Sequence, residues 1–470
     1  MLENSRGDAV GIDFGTTNTY VTVCPIGTKN KIPLYLSGRT PAIDTVILYS
    51  DKEGHDSDLF PLIGERATFT FGQASVEEIK REGYRYGANF KLDIVEFEPA
   101  RQCAVDFFKA LIRDAAHNGT PLNTSGGRLI VGAPSESGRA YRQALKQIVQ
   151  EAGLGQAEIV EEPKGALLSD LGGGRLLISD LLEGYLAVDF GGGTCDFALL
   201  SGGEVSAGWG SWELGGRLFD DLFYQWFGEQ NPGLLESLER ERRAFYVWSY
   251  LCRKLKEDFS ETISANPKAS LKAEIGRFGD VRDLTRQGFL ERAARFSPSP
   301  LFLSYYNKFK LPISKRLSEG NINLIQWFKE SLLEGLKNID KINTVSLSGG
   351  SSRWFFVKEI CLEVFKSKNI KILHSHNPFG AISEGLAILP AITYEFINIK
   401  ENIKINKDTF FKDEIFNYIK SFLDRCSIEI SKQIVISFFD DNIIPILKKY
   451  SEENINIETI ETKINEVIDS

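Results

Sequence analysis

One short pattern occurs twice in this chain and limits what it can fold into. Ala9-Val-Gly-Ile-Asp-Phe-Gly15 and Leu186-Ala-Val-Asp-Phe-Gly191 are apolar runs that end in Asp-Phe-Gly. Each is followed by a small, Thr-bearing turn, Thr16-Thr17-Asn18 in one case and Gly192-Gly193-Thr194 in the other. A return run then alternates in polarity, Thr19 to Val23 and Cys195 to Leu200. Apolar runs joined by a Gly/Thr turn predict β-hairpins. Asp13 and Asp189 are 176 positions apart. We read an internal duplication in which each copy opens one α/β lobe.

The intervening segments support that reading. Arg128 to Ala133 predicts a short strand stopped at Pro134, followed by a helix over 137–152 with Ser137 as N-cap. Glu161-Glu162-Pro163 follows a second short strand, and a small-residue helix then begins at Lys164-Gly165-Ala166. Helices are expected over 219–227, 234–259, 355–365 and 381–389, the last capped by Asn377-Pro378. A strand from Lys341 to Leu347 runs into Ser348-Gly349-Gly350-Ser351-Ser352. Three prolines in Phe296 to Pro312 predict an irregular connection. Strands alternating with helices make an α/β architecture.

Composition removes several function classes. A chain of 470 residues with 25% charged and 42% hydrophobic residues is neither disordered nor fibrous. A net charge of −9 argues against a nucleic-acid binder held by bulk electrostatics. The six cysteines are scattered with no CxxC spacing, which points to a reduced, cytoplasmic setting without a zinc site. Only four histidines are present, the N-terminus has no signal-peptide core, and no apolar run approaches the ~18 residues of a membrane helix. Glycine is absent after Gly385, and arginine thins beyond residue 300 as Asn, Ile and Lys take over.

The two turns have the makings of a phosphate site. Glycine lets backbone N–H groups approach and converge, and threonine adds a hydroxyl donor. Gly15, Thr16 and Thr17 in one turn and Gly191, Gly192, Gly193 and Thr194 in the other supply these groups. Asp13 and Asp189 place carboxylates where Mg²⁺ or its waters would stand. Either turn alone is most simply a tight hairpin; two copies with the same Asp placement favour phosphate. Neither is a Walker loop or a dinucleotide fingerprint. Gly215-Gly216 after the second hairpin offers further backbone N–H groups. Gly349, Gly350 and Ser351 lie at a strand-to-helix junction, where α/β proteins place ligands, and Arg353 could stack on a base. Glu162 puts a carboxylate at a strand end.

In this order, GIDFGTTNTYVTV, LIVGAPSESGRAYRQALKQIVQEAGL, EEPKGALL, AVDFGGGTCDFALL, ELGGRLFDDLF, VSLSGGSSR and NPFGAISEGLAI resemble the seventy-kilodalton heat-shock chaperone family (DnaK-like), within the actin/sugar-kinase ATPase superfamily. The resemblance implies a two-lobed actin-like ATPase with duplicated ribonuclease-H-like lobes, lobe I over 8–183 and lobe II over 184–392. A helical subdomain would be inserted at about 218–305; the residue pattern of the tail itself, apart from the resemblance, predicts a helical extension over 393–470. The resemblance implies ATP/ADP and Mg²⁺ as cofactors. Asp13, Asp189 and Glu162 would hold the metal, mostly through water, and Thr16, Thr17 and Thr194 would contact phosphates, with Asp196 close behind. Lys91 resembles the catalytic lysine. Lys256 and Ser260 fall at adenosine contacts, and Pro134 and Arg142 at a switch that relays nucleotide state.

This chain also departs from the family pattern. Phe379-Gly380 replaces two acids, Arg253 replaces an adenosine-contacting Glu, and Ser135-Glu-Ser replaces an aromatic-containing stretch. Beyond Leu389 there is no acidic-leucine linker, and the remaining ~80 residues are too few for a peptide-binding sandwich and lid. Phe411, Ile415, Ile419 and Phe422 form an apolar stripe that suits a brace on the lobes or a docking helix. The expected function is slow ATP hydrolysis in a cytoplasmic, chaperone-like protein whose partners are nucleotide and a co-chaperone or client. Two alternatives are a nucleotide sensor with little hydrolysis and, less favoured, a small-molecule kinase.

Overall fold

The computed structural model describes residues 7–36, 41–50, 84–122, 127–135, 137–176, 184–201, 204–241, 243–275, 278–308, 311, 313–336, 342–366, 370–375 and 377–405, with 459, 462–463 and 465–466. The apolar stripe from Phe411 to Phe422 lies outside them, as does Lys341. Chain contacts divide into two units, Met1–Arg175 with Gly184–Ile392, and Leu176–Glu183 with Thr393–Ser470. The first unit carries both main sheets.

The duplication is visible in the strand order. One sheet contains β1 (Ala9–Phe14), β2 (Asn18–Cys24), β3 (Ile32–Pro33), β4 (Ile43–Asp44), β7 (Arg128–Ala133) and β8 (Ala157–Glu161), ordered β3-β2-β1-β7-β8 with β4 also on β2. The other contains β9 (Tyr185–Phe190), β10 (Cys195–Ser201), β11 (Glu204–Ser211), β14 (Thr344–Ser348) and β15 (Lys371–His374), ordered β11-β10-β9-β14-β15. In each, an antiparallel hairpin is flanked on one side by a third antiparallel strand and on the other by two parallel strands. Parallel central strands are covered on both faces and therefore read as continuous apolar runs; β9, Tyr-Leu-Ala-Val-Asp-Phe, is buried throughout. This mixed α/β architecture with two equivalent sheets is that of an actin-like ATPase. A separate ribbon pairs β5 (Val46–Ser50) with β6 (Tyr84–Ala88), and another pairs β12 (Ser270–Glu274) with β13 (Asp280–Thr285).

The described helices are α1 (Glu98–His117), α2 (Arg139–Glu151), α3 (Glu162–Gly172), α4 (Gly216–Gln230), α5 (Leu234–Arg240), α6 (Arg253–Ala265), α7 (Arg286–Ala293), α8 (Pro300–Lys308), α9 (Lys315–Glu319), α10 (Leu324–Leu336), α11 (Phe355–Val364) and α12 (Ala381–Ile405). The short helix Ala244–Tyr246 and a π-helical turn, Val247–Cys252, lead into α6.

Four sequence expectations need correction. Over its described residues the segment 296–312 is not irregular, because Pro298 precedes α8 and Pro300 opens it instead of interrupting it. Ser299 caps the helix by accepting the Phe302 N–H at 3.2 Å, and Pro300 takes the first position, where a missing N–H costs nothing. Ser137 does not cap α2; its hydroxyl donates to the Pro134 carbonyl at 2.6 Å, and Gly138 holds the cap position. The single helix expected over 234–259 is α5 plus the longer helix, with a break between Arg240 and Ala244. The last helix does not stop at Leu389 but continues through Pro390 to Ile405. Its start is as expected, with the Asn377 side chain accepting the Gly380 N–H at 3.1 Å.

Candidate active site

The two hairpin turns meet. In each, four residues, 15–18 and 191–194, lie between the last ladder pair, Phe14 with Thr19 and Phe190 with Cys195, and the ladders pair Asp13 with Tyr20 and Asp189 with Asp196. A Cβ on Gly192 would stand 2.4 Å from Thr17 Oγ1, and one on Gly193 would stand 2.5 Å from Thr16 Oγ1. The turns are thus interlocked, and glycine is required at positions 192 and 193 of the second. Behind them, the Gly216 N–H donates to the Gly191 carbonyl at 3.1 Å and the Arg217 N–H to the Gly192 carbonyl at 2.8 Å. The N–H of Gly216 was expected to face phosphate; it braces the second turn instead.

A cleft of about 770 Å³ opens over the turns. Asp13, Gly15, Thr16, Thr17, Lys91, Glu162, Asp189, Gly191, Gly192, Gly193 and Thr194 line one end. Lys256, Ser260, Gly349, Gly350, Ser351 and Arg353 line the other. Asp196, Gly215, Gly216, Pro134 and Arg142 are not in the wall. Asp196 stands one layer behind, accepting the Thr194 hydroxyl at 2.7 Å.

Lys91 rides on a 3-10 turn, Phe90–Asp93, that follows the left-handed Asn89 (φ 58°). It is 6% exposed, and its Nζ lies 2.9 Å from Oε1 of Glu162, itself 4% exposed. Glu162 follows directly on β8 and opens α3, at the strand end where it was expected. Asp189 accepts the Ser348 hydroxyl at 3.2 Å. Gly349, at φ +80°, lies so close to Asp189 that a Cβ would reach its Oδ1 at 2.6 Å. Ser351 Oγ donates to the Gly191 carbonyl at 2.9 Å, tying this junction to the second turn.

Four carboxylates, Asp13 half-buried and Glu162, Asp189 and Asp196 buried, thus share one lysine. Burial, then the charge of Glu162, raises Asp13 well above the usual carboxylate range. The same two causes push Asp189 up to about 7, and burial pushes Asp196 up to about 8 against the pull of its Thr194 hydrogen bond. Burial alone would lower Lys91; the charge and hydrogen bond of Glu162, together with Tyr141 and Asp13, more than reverse this and hold its ammonium charged. Such a cluster favours a cation. Among the described residues no three carboxylates or other donors converge to chelate an ion directly. An ion here would therefore be held through water and by ligand oxygens, which suits Mg²⁺.

At the other end, Lys256 Nζ is 2.7 Å from Asp220 Oδ1 and donates to the Gly216 carbonyl at 3.2 Å. Arg253 turns away from the cleft: it pairs with Asp44, donates to the Thr17 carbonyl at 3.1 Å and lies over Tyr250. Arg353 lies 5.4 Å from the Phe379 ring centroid. Arg142 ties Glu161 (3.2 Å) to the Ser137 carbonyl (3.2 Å), which bridges the Pro134 turn to the residue before Glu162.

Sequence reasoning missed Tyr20, Glu257, Trp354 and Asn377 in the wall, and it noted Phe379 only as a departure. Tyr20 stacks on Phe379 with centroids 6.1 Å apart. Aligning the two hairpins would have found Tyr20, since it occupies the ladder position that Asp196 occupies in the other copy.

Comparison with known proteins agrees with this geometry. A family model described as MreB/Mbl protein matches residues 95–234. The chaperone protein DnaK of Deinococcus proteolyticus is 24% identical over 436 residues, covering 85% of this chain and 61% of that protein. DnaK of Guillardia theta is 26% identical over 407 residues (81% and 59%), and that of Thermosipho melanesiensis 27% over 408 (83% and 60%). The chain spans about three fifths of the length of these relatives. The chain is thus similar to the DnaK chaperones over most of its length and to the MreB/Mbl family over residues 95–234.

Proposed function

We propose that the chain binds MgATP in this cleft and hydrolyses it slowly to ADP and phosphate, in the manner of a chaperone ATPase. The observation that carries this is the interlocked pair of Asp-bearing turns, with the buried Lys91–Glu162 pair between them. Thr16, Thr17 and Thr194 and the turn backbones would hold phosphate oxygens. Asp13 and Asp189 would orient the attacking water and accept its hydrogen bonds, and Lys91 would offset charge on the γ-phosphoryl oxygens. Bound Mg²⁺, held by Asp13, Asp189 and Glu162 through water, would neutralise phosphate charge. Phosphoryl transfer to water needs positioning and charge neutralisation more than covalent chemistry. Gly350, Ser351, Arg353, Lys256 and Ser260 would form the nucleoside end. Lobe I over 8–183 and lobe II over 184–392 would close on nucleotide, with Pro134 and Arg142 relaying that state to a client or co-chaperone in the cytoplasm.

A second reading, a nucleotide sensor with little turnover, is favoured by one observation. The Lys91 ammonium is already engaged by Glu162 at 2.9 Å. Phosphate release measured with purified chain and MgATP, with and without candidate acceptors, separates the readings. Slow release independent of acceptor supports the ATPase, binding without release supports the sensor, and acceptor-dependent release would point to a kinase.

A further inference from the structure

The Lys91 turn is supported by a helix distant in sequence, α8. Helix α8 packs on the helix that leads into α6: Tyr305 and Phe302 lie 5.5 and 5.9 Å from the fully buried Trp248. From there the buried Tyr305 reaches across, and its hydroxyl donates to the Asn89 carbonyl at 3.3 Å. Asn89 is the left-handed residue that starts the Phe90–Asp93 turn, so this bond acts on the backbone two residues before Lys91.

The same helix touches the second hairpin's support. Arg217 is 2% exposed, and its guanidinium lies 4.9 Å over the Tyr306 ring while donating to the Trp212 carbonyl at 2.7 Å. Its backbone N–H holds the Gly192 carbonyl. A buried guanidinium is costly unless it fixes something. Here it fixes α8 against the residue that braces the Gly191–Gly193 turn. Two elements that line the cleft, the glycine turn and the Lys91 turn, therefore share one strut.

We propose that Tyr305 is a positioning residue: α8 is a strut that sets the Lys91 turn through the Tyr305–Asn89 hydrogen bond and keeps it in register with the Gly191–Gly193 turn. The inference rests on the reading of Lys91 as a phosphate-facing group. Tyr305 touches no reacting atom; its hydroxyl also hydrogen-bonds the buried Arg217 guanidinium, and removing that hydroxyl leaves the ring packing with Trp248 in place.

The test is Tyr305→Phe in the full chain. The strut predicts turnover of MgATP lowered about tenfold, nucleotide Kd within twofold of wild type and a melting temperature within about 2 °C. It also predicts hydrogen exchange at least fivefold faster in the nucleotide-free peptide that covers Asn89 to Phe97, with β9 unchanged. A purely structural tyrosine would lower melting and affinity together. Turnover and exchange both within twofold of wild type would overturn the proposal, as would a rate loss matched by an equal loss of affinity. If the wild-type chain shows no turnover, the ATPase reading fails while the exchange comparison still decides the strut.

Discussion

Lys91 is where catalysis and stability are most closely joined, so replacing it tests the reasoning most sharply. Lys91→Met keeps most of the side-chain volume and removes the charge. Glu162 would be left 4% exposed without its partner, near Asp13 and Asp189. Removing one member of a buried ion pair costs about 3–5 kcal/mol. The single variant should therefore melt clearly below wild type. Loss of one donor to the transferring group lowers rate by about 10²–10³, or roughly 2.7–4 kcal/mol. Lys91→Met/Glu162→Gln separates the two effects: with both charges gone, the melting temperature should return to near the wild-type value, while turnover stays at least a hundredfold down. Thermal melts, calorimetric MgATP affinity and phosphate release read these quantities. Nucleotide affinity should fall less than tenfold, because the turns supply most of the contacts. If affinity and turnover fall in parallel, or the double variant recovers turnover, Lys91 does not act on the γ-phosphate.

Three further outcomes follow from the same geometry. Gly192→Val should abolish MgATP binding, because its Cβ would lie 2.4 Å from Thr17 Oγ1 and push the interlocked turns apart; a normal calorimetric isotherm would contradict this. Thr194→Ala should slow turnover about 10²-fold with affinity kept within tenfold, read by phosphate release against calorimetry. The ligand-free protein should melt lower at pH 8 than at pH 6. Asp189 and Asp196 titrate near 7 and 8 when folded but near the ordinary ~3.9 when unfolded. The folded state binds more protons across this window, so stability falls as pH rises. A melting temperature that climbs from pH 6 to 8 would refute the clustered-carboxylate account.

Most of the cleft was legible because its chemistry is local. A hairpin turn of Gly and Thr beside an Asp is contained in ten residues, and its repetition fixed the equivalence of β1–β2 with β9–β10. The junction at Gly349–Arg353 was legible for the same reason. Less was readable where long-range packing decides. Three prolines suggested an irregular segment, yet Ser299-Pro300 is a cap followed by a first-turn proline, and burial of Phe302, Tyr305 and Tyr306 makes the segment a helix. The Gly216 N–H faces the Gly191 carbonyl instead of the cleft, a choice made only once the two segments meet. Arg253 and Phe379 stood out as unusual residues, but nothing in their neighbours showed that one would seek Asp44 and the other Tyr20.

The central claim is that two Asp-bearing turns form one magnesium-nucleotide site. Titration calorimetry of the wild-type chain with ATP, with and without Mg²⁺, measures this directly. A ligand held only by the folded state adds RT ln(1 + [L]/Kd), about 2.7 kcal/mol at a hundredfold excess over Kd, so a matching thermal upshift is expected. The account predicts one site per chain, tighter with Mg²⁺ than without it, and weakened by Asp13→Asn and Asp189→Asn alike. No heat of binding and no upshift at millimolar MgATP would contradict it, as would binding that is indifferent to both aspartates.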